Sequence, residues 1–572
     1  MPTSTYIFGH NLEHTRACIY GGLSAQVLRN RKFAGKPSGS DGCAAEWIPI
    51  GAEHTLYVLD SDNGPQTSVA YTHHKEIGKE MMGTGKMNRR NECQALDVQL
   101  LKENHICGIR QEKLDLRACE YKLRIIAKTS ELVEIRVALM ENSIEDTNGS
   151  TYSFTLHPGD WQKENFSMHI PKAGMYSLSI TFSKRARVTF GALSMLPFDH
   201  FHGMRRDVIE CMKEIGVSML RWPGGNFAGE YRWQDGLLDA DERAPLEAYM
   251  ENETQPYTNG YDYNEVGIDE FIALCREIGA EPFLTINLAN ASPEENAAWV
   301  EYCNGADDTR YGKLRAQRGH KDAYQVRYWS LGNEMGYGHM EGPMTPGQYV
   351  MLARRQMRAM LDVSPDLQLF SSGPYPSEEW GTKSAKELAE NVKYASLHHY
   401  TYVPLDYSSD EAAKNTCQAI MDAPKEAYRL IKEMRTCLGN NIHISFDEWN
   451  CWYAWYRPSS AAEGLYAAGM LQLFLNESNA MDMPVCCYFQ PISEGAIEIK
   501  GNNCRLTATG QVFSMLKAHC GGSLCPSLKN NSVTATIKDN ILTISMIHTG
   551  QEEPRVFKIQ IRGDLFDAKL LS

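Results

Sequence analysis

From about residue 204 onward, two hydrophobic patterns alternate along the chain. Segments such as RRDVIECMKEIG and GIDEFIALCREIGA space their apolar residues three and four apart, the mark of a helix with one buried face. Between such segments lie short, nearly continuous apolar runs: VSMLRW, EPFLTINLA, YWSLGNE, LQLFSSGPY, YASLHHY, NIHISFDEWN and MPVCCYFQP. These predict strands near 217–222, 282–288, 326–332, 367–371, 394–398, 442–447 and 484–489. Strands without polar alternation, separated by helices, are buried on both faces and run parallel. Closure needs an eighth strand, and the N-terminal TYIFGHNLEH is the candidate. The expected fold class is thus α/β, a (β/α)8 TIM barrel whose first strand is split from the rest by a long insertion. An open doubly wound sheet is the competing architecture. It usually carries a glycine-rich phosphate loop after its first strand, and FGHNLEH is not one.

The insertion reads differently. CQALDVQL, LDLRACEYKLRIIAKT, LVEIRVALM and MYSLSITFS alternate apolar with polar residues between Gly, Asn, Asp and Lys turns, which predicts an antiparallel β-sandwich. The last stretch, with SVTATIKDNILTISMIHTG and RVFKIQIRG, predicts a second antiparallel β domain, also a sandwich. The expected organisation is residues 1–40 for the first barrel strand and its loop, 41–198 for the inserted sandwich, 199–500 for the rest of the barrel and 501–572 for the C-terminal domain.

The whole-chain properties narrow the class of partner. A formal charge of -14 provides no basic field for a nucleic acid or an anionic membrane surface. No apolar run approaches the roughly 20 residues of a membrane span, and the opening residues do not read as a signal peptide. Sixteen scattered cysteines, many in apolar stretches such as those of Cys18, Cys211 and Cys275, suggest reduced thiols and a cytoplasmic location. There is no C-x-x-C pair to support a structural zinc site.

Two glutamates carry the candidate chemistry. Glu334 ends the apolar run RYWSLGNE between Gly332 and Gly336, and Glu448 follows HISFD at the tip of its own predicted strand. In a barrel, the C-terminal ends of the strands converge on one pocket. Two carboxylates there can divide the work of glycoside hydrolysis, one attacking the anomeric carbon while the other gives a proton to the leaving oxygen. Trp449, Trp452, Tyr453, Trp455 and Tyr456 follow Glu448, and flat aromatic faces suit the C–H faces of a sugar. The competing reading is structural, since a glutamate at a strand end is often a solvated loop residue or an arginine partner.

RWPGGNFAGEYRWQDG, YWSLGNEM, SLHHY and SFDEWN, in this order, resemble family 51 of the glycoside hydrolases, the α-L-arabinofuranosidases. FGHNLEHTRACIYGGLSAQVLRNRKF is similar to that family as well. The resemblance covers about 1–36 and 199–495, and more loosely the C-terminal domain; the insertion resembles a carbohydrate-binding module. It implies a retaining, exo-acting enzyme that removes terminal arabinofuranosyl residues from hemicellulose-derived oligosaccharides without cofactor or metal. It also implies possible assembly into a homo-oligomer, a hexamer in the family pattern. Glu334 matches the general acid/base and Glu448 the nucleophile. Asn333 would bind the sugar 2-hydroxyl, while Glu13, Arg221 and Asn226 would line the terminal-sugar subsite. His398 and Tyr400 match a His-x-Tyr pair on strand six, and Gln490 matches a strand-eight position in less familiar wording.

Read from the residues alone, several of these positions keep a structural alternative. Arg221 ends an apolar strand, where a buried guanidinium needs a carboxylate; it orients Glu448 or serves as a plain salt bridge. Tyr400 orients Glu448 through its hydroxyl or is simply a core tyrosine at a strand end. Trp222 and Trp233 read as packing residues, His399 has no assigned role, and Gly224 and Gly225 allow either close backbone approach or a simple turn. HNLEH, from His10 to His14, also fits the zinc-peptidase pattern H-x-x-E-H, but it follows strand-like residues rather than opening a helix. Other glycans, such as β-glucan, xylan or a galactofuranoside, would be served by the same catalytic pair. A non-catalytic carbohydrate-binding barrel would be expected to lack one of the two glutamates.

Overall fold

In the computed structural model, eight parallel strands close a barrel in chain order. They are β1 (Gly9–Asn11), β2 (Met219–Trp222), β3 (Glu281–Thr285), β4 (Tyr328–Leu331), β5 (Gln368–Ser371), β6 (Val392–Thr401), β7 (His443–Cys451) and β8 (Val485–Tyr488). The structure describes residues 2–60, 63–67, 94–141, 149–247, 258–288, 290–336, 344–372, 378–525 and 532–549. β1 pairs with β2 on one side and β8 on the other, so the closed barrel rather than the open sheet is the architecture.

The closing strand is shorter than expected. TYIF is a 3-10 turn, Thr5–Phe8, whose start is capped by the Ser4 hydroxyl accepting from the Tyr6 amide at 3.2 Å. The strand begins at Gly9, where a Cβ would lie 2.8 Å from both the Cys486 carbonyl oxygen and Cys487 Sγ. Only a glycine lets the two strands approach this closely.

The barrel interior changes character along its axis. Met219, Phe283, Tyr328, Phe370, Tyr394, Val485 and Cys487 form one apolar cluster, with Tyr6 packed against it. Phe370 stacks on Tyr394 at 4.2 Å and meets Phe283 at 4.3 Å. This plug fills the N-terminal end, so the polar side chains gather at the other. On β2 the change takes two residues, from Met219 to Arg221, both pointing inward by the period of a strand.

The surrounding helices stop and start where their caps dictate. Pro293–Asn304 opens with a capping box in which Ser292 Oγ accepts from the Glu295 amide at 3.1 Å and Glu295 accepts from the Ser292 amide at 2.8 Å. This helix carries Trp299, which is 1% exposed and meets Trp222, Trp233 and Trp329. Trp222 also stacks on Phe271 at 4.7 Å, so Trp222 and Trp233 are packing residues. Among the described residues no helix is long and apolar enough to cross a membrane.

The insertion forms two five-stranded antiparallel sheets around their own apolar core. One runs in the order Ile48–Ile50, Cys107–Leu116, Gly174–Phe182, Val133–Glu141, Gly149–Leu156. The other runs Thr55–Asp60, Ala95–Leu100, Arg187–Pro197, Glu120–Thr129, Gln162–His169. Toward the C-terminus, Ser523–Leu524, Val533–Lys538 and Ile541–Met546 make a three-stranded sheet. Asn476, on the helix Ala461–Met481, accepts a hydrogen bond from the Thr534 hydroxyl of that sheet at 3.1 Å. The expected strand RVFKIQIRG lies outside the described residues.

Emptying the tryptophan layer tests this packing. Trp299→Ala is expected to cost about 3–5 kcal/mol, as for a fully buried tryptophan, read from the denaturant midpoint at unchanged slope.

Candidate active site

β2 delivers Arg221 to the C-terminal end of the barrel with 1% of the residue exposed. A guanidinium taken out of water there must be met by acceptors on every side. One amino group donates to Glu448 Oε1 at 2.8 Å and Asn11 Oδ1 at 3.1 Å. The other donates to Asn333 Oδ1 at 2.7 Å, and Nε faces Asp447 Oδ2 at 3.8 Å. One side chain therefore ties β1, the β4 loop and β7 together.

Glu448 does not sit at a strand tip, as its sequence setting suggested. β6 and β7 run on together past it, with His398 opposite Glu448 and Thr401 opposite Cys451. Pairing slips between Ser396 and His398 on β6, so β7 carries one extra residue there. A bulge of this kind breaks the strict alternation of faces. Asp447 and Glu448, consecutive in sequence, consequently both reach Arg221. Glu448 Oε2 also accepts from the Tyr400 hydroxyl at 2.8 Å. Burial, then the adjacent carboxylates of Glu448 and Glu334, push the Tyr400 phenol well above its usual range, so it stays a donor.

Glu334 arrives from the opposite side on a strained turn. After β4, Gly332 has φ of 86° and Glu334 itself φ of 47°, a conformation L side chains seldom adopt. Its Oε1 is 2.8 Å from His398 Nδ1. One side-chain ligand atom from each of Glu334, His398 and Glu448 lies within 4.8 Å of the others. This trio is also the place where the described residues could hold a metal ion. Against that use, burial disfavours the His398 charge, but Glu448, Asp447 and Glu334 outweigh it and hold the imidazole protonated, its pKa raised to about 10. A protonated imidazole is a donor, not a ligand.

The remaining expected residues line the same end. Glu13 Oε1 accepts from the Phe227 amide at 3.0 Å, and its own amide donates to Gln490 Oε1 at 2.9 Å. Asn226 Oδ1 accepts from Asn333 Nδ2 at 3.4 Å. A Cβ on Gly225 would stand 3.0 Å from Glu448 Oε1 and 3.2 Å from Glu13 Oε1, so close backbone approach is the reason for that glycine. All nine positions singled out in the sequence thus belong to one connected cluster.

HNLEH is dispersed rather than convergent. His10 is buried against Tyr488 and Phe513, and burial lowers its pKa to about 3. His14 pairs with Asp262 at 3.0 Å and accepts from the Trp222 indole at 3.1 Å. The aromatic wall is also divided. Trp449 and Tyr453 are core residues, whereas Trp452, 42% exposed, and Tyr456, 68% exposed, stand at the rim. Sequence reasoning missed Asn11, Ser396 and Asp447. Asp447 lay beside Glu448 in SFDEWN, but strict alternation would have turned it away from the site.

The chain is similar to known proteins over part of its length. Residues 211–415 match the family model described as the alpha-L-arabinofuranosidase 1 domain. The probable alpha-L-arabinofuranosidase C of Aspergillus terreus is 29% identical over 321 residues, 52% of this chain and 61% of its own. By these matches the chain is similar to the α-L-arabinofuranosidases of family 51 of the glycoside hydrolases. Another relative, the intracellular exo-alpha-(1->5)-L-arabinofuranosidase of Streptomyces lividans, is 33% identical over 264 residues, 44% of this chain and 38% of its own. The chain therefore spans about three-fifths or less of the length of these curated relatives. The arabinose-bound MgGH51 α-L-arabinofuranosidase shares the fold, with a TM-score of 0.67 at 14% identity over 95% of this chain and 87% of that one. The segment matched by the family model carries Arg221, Asn226, Asn333, Glu334, His398 and Tyr400. Glu13, Glu448 and Gln490 reach the site from outside it.

The His398 charge makes a prediction about stability. Its folded pKa is raised from 6.5 to about 10, so the stability it contributes is fully present below pH 6.5 and is lost as pH rises toward 10. Wild type should lose melting temperature over this window more steeply than His398→Gln, as measured by calorimetry at matched ionic strength.

Proposed function

We propose that this protein is a retaining, exo-acting α-L-arabinofuranosidase that releases terminal non-reducing arabinofuranosyl residues from hemicellulose-derived oligosaccharides. The observation that carries this reading is the meeting of Glu334 and Glu448, from β4 and β7, around His398 with ligand atoms within 4.8 Å. Retaining enzymes hold their two carboxyl groups about 5–5.5 Å apart, whereas inverting ones leave about 6.5–9.5 Å for a water. The short approach favours retention.

The hydrogen bonds divide the roles. Glu448 accepts from Arg221 and Tyr400, one donor on each oxygen, which fixes the direction in which the carboxylate points. Glu448 attacks the anomeric carbon, the glycosidic C–O bond breaks, and Glu334 protonates the departing oxygen. Glu334, now a carboxylate, then takes a proton from water as that water displaces Glu448 and restores the anomeric configuration. The buried surroundings of Glu13 and Gln490 fit a terminal sugar that enters no further. The printed names of the relatives favour arabinofuranose. A hexamer remains our proposal from the family pattern, with light scattering as its test, and a cytoplasmic location is proposed from the cysteine pattern.

A panel of aryl arabinofuranoside, xyloside, glucoside and galactofuranoside tests the substrate. Arabinofuranoside should be the one turned over, and preference for another glycoside would move the assignment to that glycan. Glu448→Ala should abolish turnover, with external azide restoring it and giving an inverted glycosyl azide. Glu334→Ala should lose roughly 10²–10⁴-fold in kcat/KM on a poor leaving group. Full activity in Glu448→Ala would remove the nucleophile from its role.

A further inference from the structure

Behind Glu334 lies a chain of polar groups that the two-carboxylate mechanism does not use. Asp447 is fully buried, and its Oδ1 accepts from the Ser396 hydroxyl at 2.6 Å. The same hydroxyl is 3.1 Å from His398 Nε2, which itself lies 3.5 Å from Asp447 Oδ1. On the far side of the ring, Nδ1 is 2.8 Å from Glu334 Oε1 and 3.4 Å from Glu448 Oε2. His398 is thus gripped at one nitrogen by the β6–β7 bulge and presented at the other to the acid/base. A hydrogen-bonded imidazole held at both nitrogens has its ring plane and its tautomer settled.

We propose that Asp447, Ser396 and His398 form a buried positioning relay for Glu334, pinning an imidazolium whose Nδ1–H occupies Oε1 and so confines the mobile proton to Oε2. This rests on the reading of Glu334 as the acid/base. The arrangement of charges supports it. Glu334, Asp447 and Glu448 bring three carboxylates against the two cations, Arg221 and His398. The acid's proton sits on one of the three. Asp447 does not hold it, because His398, Arg221 and Ser396 offset its burial and keep its carboxyl below the usual range. Glu448 has a donor on each oxygen. The proton therefore belongs to Glu334. When the glycosyl ester forms, Glu448 loses its charge and the imidazolium is left between Asp447 and Glu334, stabilising the carboxylate that must next act as base. His398 itself transfers no proton; the only bond broken in the relay's service is the Glu334 O–H. The groups facing His398 are Glu334 from the β4 loop, Asp447 and Glu448 from β7 and Ser396 on β6. Arg221 from β2 and the Tyr400 hydroxyl lie behind the two β7 carboxylates.

Two measurements test this. In wild type labelled with 15N-histidine, the His398 resonance, assigned by its loss in His398→Gln, should show an imidazolium at pH 8. In Asp447→Asn it should titrate at lower pH. A neutral His398 in wild type at pH 7 would overturn the proposal, and this readout needs no substrate. In kinetics, His398→Gln removes a cation beside the acid, so the alkaline limb of kcat/KM should move up by about 1–3 pH units. On a phenyl glycoside kcat/KM should fall roughly 10²-fold, and on a dinitrophenyl glycoside, which needs no acid, by a much smaller factor. An unmoved limb with equal losses on both substrates would make His398 merely structural. If wild type turns over no arabinofuranoside, the functional reading fails on its own, and the imidazolium result still stands or falls separately.

Discussion

A guanidinium buried at the C-terminal end of β2 governs much of this molecule. Arg221 cannot be left without acceptors in a site of low dielectric, where an unpaired charge costs several kcal/mol. Its partners come from three separate parts of the chain: Asn11 on β1, Asn333 after β4, and the carboxylates of β7. Satisfying one side chain therefore sets the positions of the β4 loop and β7, which carry the candidate chemistry, against β1. The apolar plug beneath it supplies the other half of the constraint, because it closes the barrel to water from the N-terminal end.

The β6–β7 pair solves a local problem of geometry. A regular strand shows only alternate residues to the interior, so one strand end ordinarily contributes one carboxylate. The bulge opposite His398 lets Asp447 and Glu448 both face inward, and they take different tasks. Glu448 is held by Arg221 and Tyr400, one on each oxygen. Asp447 stays behind the imidazole and contributes its charge there. Carrying both strands several residues beyond the bulge also places Tyr400 and Trp452 at the rim, 5.7 Å apart edge to face.

The inserted sandwich interrupts the chain without interrupting the barrel. Asn11 and Arg221 stand in register on neighbouring strands although the whole insertion separates them in sequence. The entropic cost of closing a long loop grows only slowly with its length. The insertion also folds around a core of its own, so it asks little of the barrel beyond two neighbouring exit points.

The amino-acid sequence by itself determined the alternation of buried strands and amphipathic helices, the β-rich insertion, and the glutamates of β4 and β7. These are local signals: apolar spacing, turn residues and short motifs act over a few positions, and neighbours in sequence suffice to read them. It misplaced TYIF, because a serine cap and two buried side chains look the same in a strand and in a 3-10 turn. It passed over Asp447, Ser396 and Asn11, and it took Trp449 and Tyr453 for wall residues. Only the tertiary structure decided those. A bulge exists only relative to the partner strand, and a buried polar group acquires its role from acceptors hundreds of residues away. The direction in which a side chain points across a slipped ladder is a property of the pair, which no single segment contains.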